Sequence, residues 1–484
     1  GQYHLVVGNP PYQSRGKLAD SGTFEKLCPT GKADLFAGFM ERAKSLGISG
    51  GLSGYVTLSN WMSLGTYEEL RKRLLEECSL IAVLDLGKAA FGACDSTLIS
   101  VCISLWRSGK STKGASIAVR PIPPREVIRD LQQHNRLQRV LLLGRGRFDF
   151  RPEDLRAIPG QPLIYWWDRE FLERYAQVAK IGDLAPARKG LCTGDDGRFN
   201  CYWWEVASNR LAMKKLWGSS AIEAAATDQK LAAPWTQQHW APTIKGAKGF
   251  AWFEPLRELV RWRHHGLENR TFALTSKGVV FRNPTYYFRP GVAFSMIGSS
   301  FTARAHRYRS VFGNAGSSVF PNDIPGTLCL MNSSVAKYVM ESLNPSVNFE
   351  VGDINRLPLF PIESADEIVA TLDRAFTQHE QARETSVEFK KPGPTPWKYA
   401  QEWAQQAVDR PAGAPLPEYH PQEEPQGPRD QLSYQLGLAL GRFDANGIAD
   451  HPPESALPHG ILFLSASGGP DSLEHPAAVP LKAQ

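Results

Sequence analysis

The sequence contains few cysteines, and their spacings are not those of a structural zinc site. Its seven cysteines are scattered over 484 residues, and no two of them form a Cys-x-x-Cys pair. An odd and scattered set indicates reduced thiols in a cytoplasmic protein, because a disulfide framework needs paired cysteines. We therefore predict neither disulfide bonds nor a metal site.

Long apolar runs and a signal peptide are also missing. No stretch approaches the roughly 20 apolar residues that cross a membrane, and the first residues lack the pattern of a secretory signal. The chain opens with Gly1, almost inside an apolar run, which predicts the interior of a longer protein. These features predict a cytoplasmic protein without a membrane partner.

Neither sign of charge is in large excess. The formal net charge of +6 is as typical of an ordinary, slightly basic enzyme as of a nucleic-acid-binding protein. Tryptophan, in contrast, is abundant, with 13 residues. Because large aromatic side chains are enriched at recognition surfaces, this composition favours a binding function.

The first apolar run ends abruptly in a stiff polar loop. Residues 3–8 predict a buried strand, and Asn9-Pro10-Pro11-Tyr12 follows it directly. Two consecutive prolines fix φ and remove two backbone donors, so the loop cannot continue as a helix. Asn9 is thereby placed at the carboxyl end of a strand, where open α/β sheets bind ligands. A structural turn is the alternative, but the strand before the loop and the aromatic ring after it favour a functional loop.

The next hundred residues alternate between helical and strand patterns. Helices are predicted over 34–47 and 66–78, and strands over 54–58, 80–86 and 98–105. This order predicts an α/β fold, the C-terminal half of a doubly wound, Rossmann-like sheet. The first half, with its glycine-rich cofactor turn, is not found. The best downstream match, Gly144-Arg145-Gly146, is followed by Arg147 and Phe148 and not by a helix-opening turn.

The whole chain divides by composition into five segments. We predict a partial catalytic domain over 1–111, a basic connector over 112–162, a mixed α/β recognition domain over 163–361, a helical segment over 362–390, and a Pro-rich linker with a poorly ordered C-terminal region over 391–484.

The segment 163–361 interleaves aromatic residues with arginine and lysine. This pattern suits binding of double-stranded DNA, with cations on phosphates and base edges. For any single residue, a β-rich core with solvated charges is the alternative. The predicted DNA-binding residues are Arg198, Trp203, Trp204, Lys245, Lys248, Arg304, Arg307 and Arg309.

The Asn-Pro-Pro-Tyr loop resembles the motif of DNA methyltransferases that act on an exocyclic amino group, usually N6 of adenine. Further stretches are similar, in order and spacing, to the adenine-specific DNA methyltransferases of BREX phage-defence systems, PglX type. These stretches are Ala33-Asp34-Leu35-Phe36-Ala37, Leu58-Ser59-Asn60-Trp61-Met62, residues 86–92, residues 190–195 and residues 348–354. The resemblance covers roughly residues 1–360, and family members are longer at both ends.

The resemblance implies site-specific methylation of adenine N6 with S-adenosylmethionine, which marks self DNA in anti-phage defence. It gives the catalytic role to Asn9, Pro10, Pro11 and Tyr12. The Asn9 oxygen and the carbonyl between the prolines would accept the hydrogens of the amine. Tyr12 and Phe91 would stack on a flipped base.

The resemblance also implies which further segment and partners the chain needs for methyl transfer. The cofactor-binding segment is expected to precede this chain, so that the chain alone is inactive. The expected partners are that segment, double-stranded DNA and other defence-system proteins. A non-catalytic DNA-binding or specificity module is the alternative function.

Overall fold

The structure, a computed structural model, describes residues 2–88, 99–109, 115–120, 146–206, 211, 239–246, 249–297, 301–344, 348–439, 442–444 and 447–448. The chain divides into two compact units. Unit 1 comprises Gly1–Val178 and Ser342–Pro345, and unit 2 comprises Ala179–Glu341 and Ser346–Gln484. This division differs from the five predicted segments, because the described part of the connector belongs to unit 1 and the helical segment belongs to unit 2.

Thirteen α-helices occur in the described residues. Residues 1–178 contain α1 Ser21–Leu27, α2 Leu35–Leu46, α3 Glu68–Glu77 and α4 Arg169–Gln177. The remainder contains α5 Ile181–Leu184, α6 Asp196–Phe199, α7 Arg263–Phe272, α8 Ile324–Asn332, α9 Ser334–Leu343, α10 Val351–Ile354, α11 Ala365–Ala382, α12 Trp397–Val408 and α13 Pro428–Ala439. None of the described helices has the length and apolar character needed to cross a membrane.

A mixed six-stranded sheet organises unit 1. Its strands are β1 Tyr3–Gly8, β2 Gly47–Leu58, β3 Cys78–Lys88, β4 Ser100–Ser108, β5 Ser116–Val119 and β6 Arg147–Phe150, in the order β1-β2-β4-β3-β5-β6. β1 runs parallel to β2, and β3 runs parallel to β5. β4 is antiparallel to both of its neighbours, and β6 is antiparallel to β5. Unit 1 is therefore an α/β unit.

Helix α2 forms the crossover between the parallel strands β1 and β2. Its side chains Phe36, Met40 and Ala43 are buried at intervals of three and four residues, which gives the helix one apolar face. The chain then enters β2 at Gly47 and pairs in register with β1, from Leu5 opposite Leu52 onwards. This crossover places the carboxyl ends of β1 and β2 at the same edge of the sheet.

A buried arginine connects helix α3 to the segment that was predicted as part of the connector. Arg71 donates hydrogen bonds to the carbonyls of Trp61 and Leu64 at 2.7 Å. It also donates to the carbonyls of Gly160, at 2.7 Å, and Gln161, at 3.2 Å. Because these backbone oxygens satisfy a cation that water does not reach, residues 160–161 are fixed to unit 1.

The described residues of unit 2 form three small sheets. Their strands are β7 Asn200–Tyr202, β8 Trp240–Ile244, β9 Glu258–Arg261, β10 Val292–Phe294, β11 Ala303–Ala305, β12 Val311–Phe312, β13 Ser318–Val319, β14 Phe443–Asp444 and β15 Gly447–Ile448. The strand orders are β12-β8-β9-β7, β11-β10-β13 and β14-β15. An aromatic core packs against the first two sheets, with Trp262 in contact with Tyr287 and Phe288, each with ring centroids 5.6 Å apart.

The helical segment and part of the predicted linker pack into unit 2. Phe376 of α11 stacks on Phe253 with ring centroids 5.5 Å apart, and Trp397 of α12 contacts Phe376 at 4.7 Å. Ala400 and Ala404 of α12 are fully buried. The prolines on both sides of α12 suggested a linker, but the apolar spacing between them forms a helix with a buried face.

One buried histidine in unit 2 predicts a pH dependence of stability. Burial lowers the pKa of His306 to about 3, and its ring nitrogens lie 3.2 Å from the carbonyl oxygen of Arg289 and 2.9 Å from the hydroxyl of Ser318. In the unfolded state this side chain has a pKa near 6.5. Between that pH and about 3, it is therefore protonated in the unfolded state but neutral in the folded state. The free energy of unfolding should therefore fall as the pH drops from about 6.5 towards 3, by at most about 1.4 kcal/mol per unit for this group.

Urea unfolding at several pH values between 7 and 5 measures this dependence. His306→Gln removes the titrating group, so its unfolding free energy should fall less steeply with acidification than that of the wild type. His379, whose pKa burial lowers to about 4, remains in both proteins and contributes equally to both slopes. Identical slopes for the two proteins would contradict this assignment.

Candidate functional site

The Asn-Pro-Pro-Tyr loop begins directly after the edge strand β1. Asn9 and Pro11 are exposed, Pro10 is buried and Tyr12 is half-buried. Burial of Pro10 fixes the loop against unit 1 and leaves the amide of Asn9 at the carboxyl edge of the sheet, facing solvent. Asn9 thus follows a strand, as the sequence predicted, but that strand is mostly exposed and not buried.

Backbone hydrogen bonds hold this loop against the segment that precedes α2. Gln13 N donates to Pro11 O at 3.2 Å, which closes a tight turn. Leu35 N donates to Gln13 O at 2.9 Å, and Arg15 N donates to Ala33 O at 3.1 Å. The position of Asn9 therefore depends on the anchoring of both ends of the loop, to β1 and to α2.

An aromatic cluster supports Tyr12. Its ring lies edge-on to Phe36 with centroids 6.3 Å apart, and Phe36 contacts Tyr67 at 5.7 Å. Burial raises the pKa of Tyr12, so its phenol remains protonated at neutral pH. The phenol donates to Asn9 Oδ1 at 3.4 Å, a long and weak hydrogen bond. Asn9 Oδ1 is therefore available to a better-placed donor.

Two other predictions concern this site: base stacking by Phe91 and a cofactor turn at Gly144-Arg145-Gly146. Phe91 lies outside the described residues. Gly146 opens strand β6, which pairs with β5 from Arg147 to Phe150. Since a phosphate- or nucleotide-binding turn should open a helix, the described part of Gly144-Arg145-Gly146 does not fit a cofactor loop.

Three arginines that were predicted to contact DNA are buried in unit 2. Arg307 forms ion pairs with Asp373 at 2.7 Å and Glu388 at 2.8 Å. Arg304 is 0% exposed, and Arg309 is buried as well. The structure gives Arg304 and Arg307 internal partners, and none of the three guanidinium groups is placed on the surface.

The partner of Arg304 is a half-buried carboxylate. Arg304 Nε lies 2.7 Å from Glu254 Oε2, and Arg304 also donates to the backbone carbonyl of Lys245. Burial raises the pKa of Glu254, and the positive charge of Arg304 opposes that effect. Buried Arg304 therefore pairs with a half-buried acid and a backbone carbonyl of unit 2.

The predicted lysines and Arg198 are placed differently. Lys245 forms ion pairs with Asp196 at 2.7 Å and Glu258 at 3.1 Å, so neighbouring acids compensate its charge. Lys248 lies outside the described residues. Arg198 is exposed and rests over the ring of Phe272, 5.0 Å from its centroid. Of the two cations that the structure describes, Arg198 is exposed and Lys245 is held by acids.

The two predicted tryptophans have opposite environments. Trp203 packs against the cluster around Leu259 and Tyr308, and its backbone N–H donates to Arg257 O at 3.0 Å. Trp204 is 44% exposed and stacks face to face on the exposed ring of Tyr202, with centroids 4.6 Å apart and 3° between the planes. Both tryptophans lie in the 3-10 turn Trp203–Glu205, which directly follows β7.

These environments predict different effects of two adjacent substitutions. Trp203→Ala removes core packing and should lower the free energy of unfolding by roughly 2–4 kcal/mol. Trp204→Ala should leave stability within about 1 kcal/mol and weaken DNA binding by roughly 5- to 100-fold through lost base stacking. Urea unfolding and fluorescence anisotropy with labelled DNA measure the two effects. An equal loss of stability in both variants would contradict the assignment.

The first part of the chain matches a known protein family. Residues 1–91 match the family described as Eco57I restriction-modification methylase. This stretch contains β1, the Asn-Pro-Pro-Tyr loop, α2, β2, α3 and β3. One solved structure, the Type IIL restriction-modification enzyme MmeI in complex with DNA, is 11% identical, with a TM-score of 0.44, and the match covers 84% of this chain and 53% of that chain.

Two curated relatives match most of the chain. The adenine-specific methyltransferase BrxX of Escherichia coli O9:H4 (strain HS) is 28% identical over 400 residues, which cover 81% of this chain and 30% of the relative. The adenine-specific methyltransferase PglX of Lacticaseibacillus casei (strain Zhang) is 27% identical over 378 residues, covering 74% of this chain and 29% of the relative. The chain thus spans about 30% of the length of these relatives. The predicted resemblance is confirmed: over most of its length, this chain is similar to BREX-type adenine-specific methyltransferases.

Proposed function

We propose that this chain provides the catalytic loop and the DNA-recognition part of an S-adenosylmethionine-dependent methyltransferase that acts on N6 of adenine in DNA. The observation that carries the proposal is the exposed amide of Asn9 on a rigid loop at the carboxyl edge of β1, followed by the half-buried ring of Tyr12. The similarity to adenine-specific methyltransferases supports it.

The loop suits the chemistry of an exocyclic amine. The lone pair of adenine N6 is delocalised into the base, which makes the nitrogen a poor nucleophile. Asn9 Oδ1 and the carbonyl oxygen of Pro10 are acceptors, and hydrogen bonds from the two N–H groups to them would direct the lone pair away from the ring. Because the loop is anchored at both ends, these acceptors are oriented before the substrate arrives.

Tyr12 suits the binding of the base itself. An adenine inside a duplex cannot reach the loop, so the base must leave the stack, and an aromatic ring compensates part of the lost stacking. Phe36, which itself packs on Tyr67, lies against the ring of Tyr12 and supports it. When the N6 amine binds to Asn9 Oδ1, it would replace the weak hydrogen bond from the Tyr12 phenol.

For the cofactor, the described residues provide only part of a site. S-adenosylmethionine would supply the methyl group, but no described residue of unit 1 lies in a glycine-rich turn that opens a helix after a strand. β1 has one described neighbour, β2, and its side chain Val7 is 71% exposed. An uncovered apolar edge strand normally pairs with further structure. We place the cofactor pocket against this edge, completed by residues outside those described.

For DNA recognition, the proposal rests on the surface of unit 2. The stacked pair of Tyr202 and Trp204 and the exposed Arg198 offer an aromatic face and a cation to nucleic acid. In this role unit 2 would select the methylated sequence, and the methylated adenine would mark self DNA in a BREX-type defence system.

Methyl transfer from labelled S-adenosylmethionine to duplex DNA tests the proposal, with the protein that contains this chain at its full natural length. Label in adenine supports it. The second candidate, a non-catalytic DNA-binding module, is favoured by the lack of a cofactor loop among the described residues. Duplex binding without any methyl transfer by the full-length protein would establish that second candidate instead.

A further inference from the structure

A group of surface arginines in unit 2 has no acidic partner. Arg188, Arg270, Arg282 and Arg289, here called the guanidinium patch, form no ion pair with any residue that the structure describes. Arg270, Arg282 and Arg289 are exposed, and Arg188 is half-buried. In contrast to Lys245, which two acids neutralise, these four charges are uncompensated within the described part of the chain.

The first half of the patch is organised around one tyrosine. The guanidinium of Arg188 lies 4.1 Å from the ring centroid of Tyr286, and that of Arg289 lies 5.1 Å from the same centroid. Arg188 also donates to Asn283 Oδ1 at 3.3 Å. Since Asn283 directly follows Arg282, these contacts bring three of the four arginines to one loop.

Neutral groups also hold the other two contacts of the patch, those of Arg282 and Arg270. Arg282 donates to Asn314 Oδ1 at 3.0 Å. Arg270 lies over the ring of Phe281, 4.3 Å from its centroid, and donates to the carbonyl of His265 at 3.0 Å. All of these partners are rings or neutral oxygens. They orient the guanidinium groups without cancelling their charge.

Other cations engage three acids of unit 2. These ion pairs are Lys189 with Glu350 at 3.0 Å, Lys245 with Asp196 at 2.7 Å and Arg261 with Glu268 at 3.1 Å. The patch therefore contributes four positive charges without a paired acid among the described residues, although the net charge of the whole chain is only +6.

We propose that the guanidinium patch binds the phosphate backbone of duplex DNA. The inference rests on the proposed function and extends it by naming the residues that hold the phosphate backbone. Arginine forks match phosphate oxygens in pairs, and side chains already held on aromatic rings lose little freedom on binding. Contacts of this kind fix the position of the protein on the duplex and do not read its sequence.

A triple substitution tests the patch. The variant R188Q/R282Q/R289Q removes three charges without introducing acids. Loss of three phosphate contacts should reduce the slope of log K against log salt by about 2–3 and lower the affinity for a 30-bp duplex on the order of 100-fold at 0.1 M salt. Fluorescence anisotropy over a salt series, with two unrelated duplex sequences, should show the same loss for both.

Two control proteins separate this effect from a general change in charge or fold. R147Q/R169Q/K398Q also removes three exposed charges, but each of those residues faces a carboxylate in the structure. It should bind DNA nearly as the wild type does. R188K/R282K/R289K keeps the charges and should recover most of the affinity and of the salt slope.

The outcomes also separate this inference from the proposed function. An unchanged affinity and salt slope in the triple variant, an equal loss in the control variant, or no duplex binding by the wild type would each overturn the inference. If the wild type methylates adenine but the triple variant binds normally, the inference fails and the proposed function stands. If the triple variant binds weakly but the wild type transfers no methyl group, the inference stands and the proposed function fails.

Discussion

Replacing Asn9 with alanine should abolish most methyl transfer while leaving DNA binding and folding intact. The substitution removes the side-chain acceptor that would hold the N6 amine. Loss of one preoriented hydrogen-bonding group at a reacting centre typically lowers kcat by about 100- to 1,000-fold. Because Asn9 is exposed and its contact with Tyr12 is long, its removal costs the fold little. The measurement is the rate of transfer from labelled S-adenosylmethionine to a saturating duplex.

Two further substitutions in the same loop test the specificity of this effect. Gln13→Ala also removes an amide, but this amide donates to the carbonyl of Lys17 at 2.9 Å, so activity should stay within a few-fold of the wild type. Asn9→Asp keeps acceptor oxygens at the same position and should retain more activity than Asn9→Ala. Equal activity of Asn9→Ala and the wild type would remove Asn9 from the catalytic loop.

Replacing Arg307 with alanine should destabilise unit 2 strongly, although the sequence pattern predicted a contact with DNA. The guanidinium forms ion pairs with Asp373 and both carboxylate oxygens of Glu388, and it donates to Thr377 at 2.9 Å. It also lies over the ring of Phe376. Its removal leaves buried Glu388 without its main partner, which typically costs about 3–5 kcal/mol.

Urea unfolding followed by tryptophan fluorescence measures this loss. Lys398→Ala is the matched control, because Lys398 is an exposed cation whose Nζ lies 3.6 Å from Glu424. A surface pair of this kind contributes about 0–1 kcal/mol. If Arg307→Ala unfolds like the wild type but binds DNA weakly, Arg307 belongs to the DNA surface and the structural role is excluded.

The parts of the fold that could be predicted are those whose cause is local. The helix predicted over 34–47 is α2, Leu35–Leu46, because its apolar spacing and the following glycine both mark its course. The Asn-Pro-Pro-Tyr loop was predictable for the same reason, since two prolines leave the backbone few alternatives. The strand predicted over 54–58 is longer, Gly47–Leu58, because pairing with β1 extends it through a glycine-containing stretch that resembles a turn.

The environment of the charged residues could not be predicted, because their partners are distant in the sequence. Arg307 is separated from Glu388 by 81 positions, and the sequence near Arg307 does not predict a buried carboxylate as its partner. The guanidinium patch joins Arg188 to Tyr286 across a similar distance. A local mixture of aromatic and basic residues therefore indicates where recognition surfaces occur, but it does not separate ion pairs inside the fold from cations outside it.

The most direct measurement of the central claim is the identity of the methylated nucleoside. Duplex DNA would be incubated with S-adenosylmethionine and the full-length protein that contains this chain, digested to nucleosides, and analysed by mass spectrometry. Our account predicts N6-methyldeoxyadenosine, and its loss with Asn9→Ala. Methylation of cytosine alone, or no methylated nucleoside from a protein that binds both the cofactor and the duplex, would contradict it.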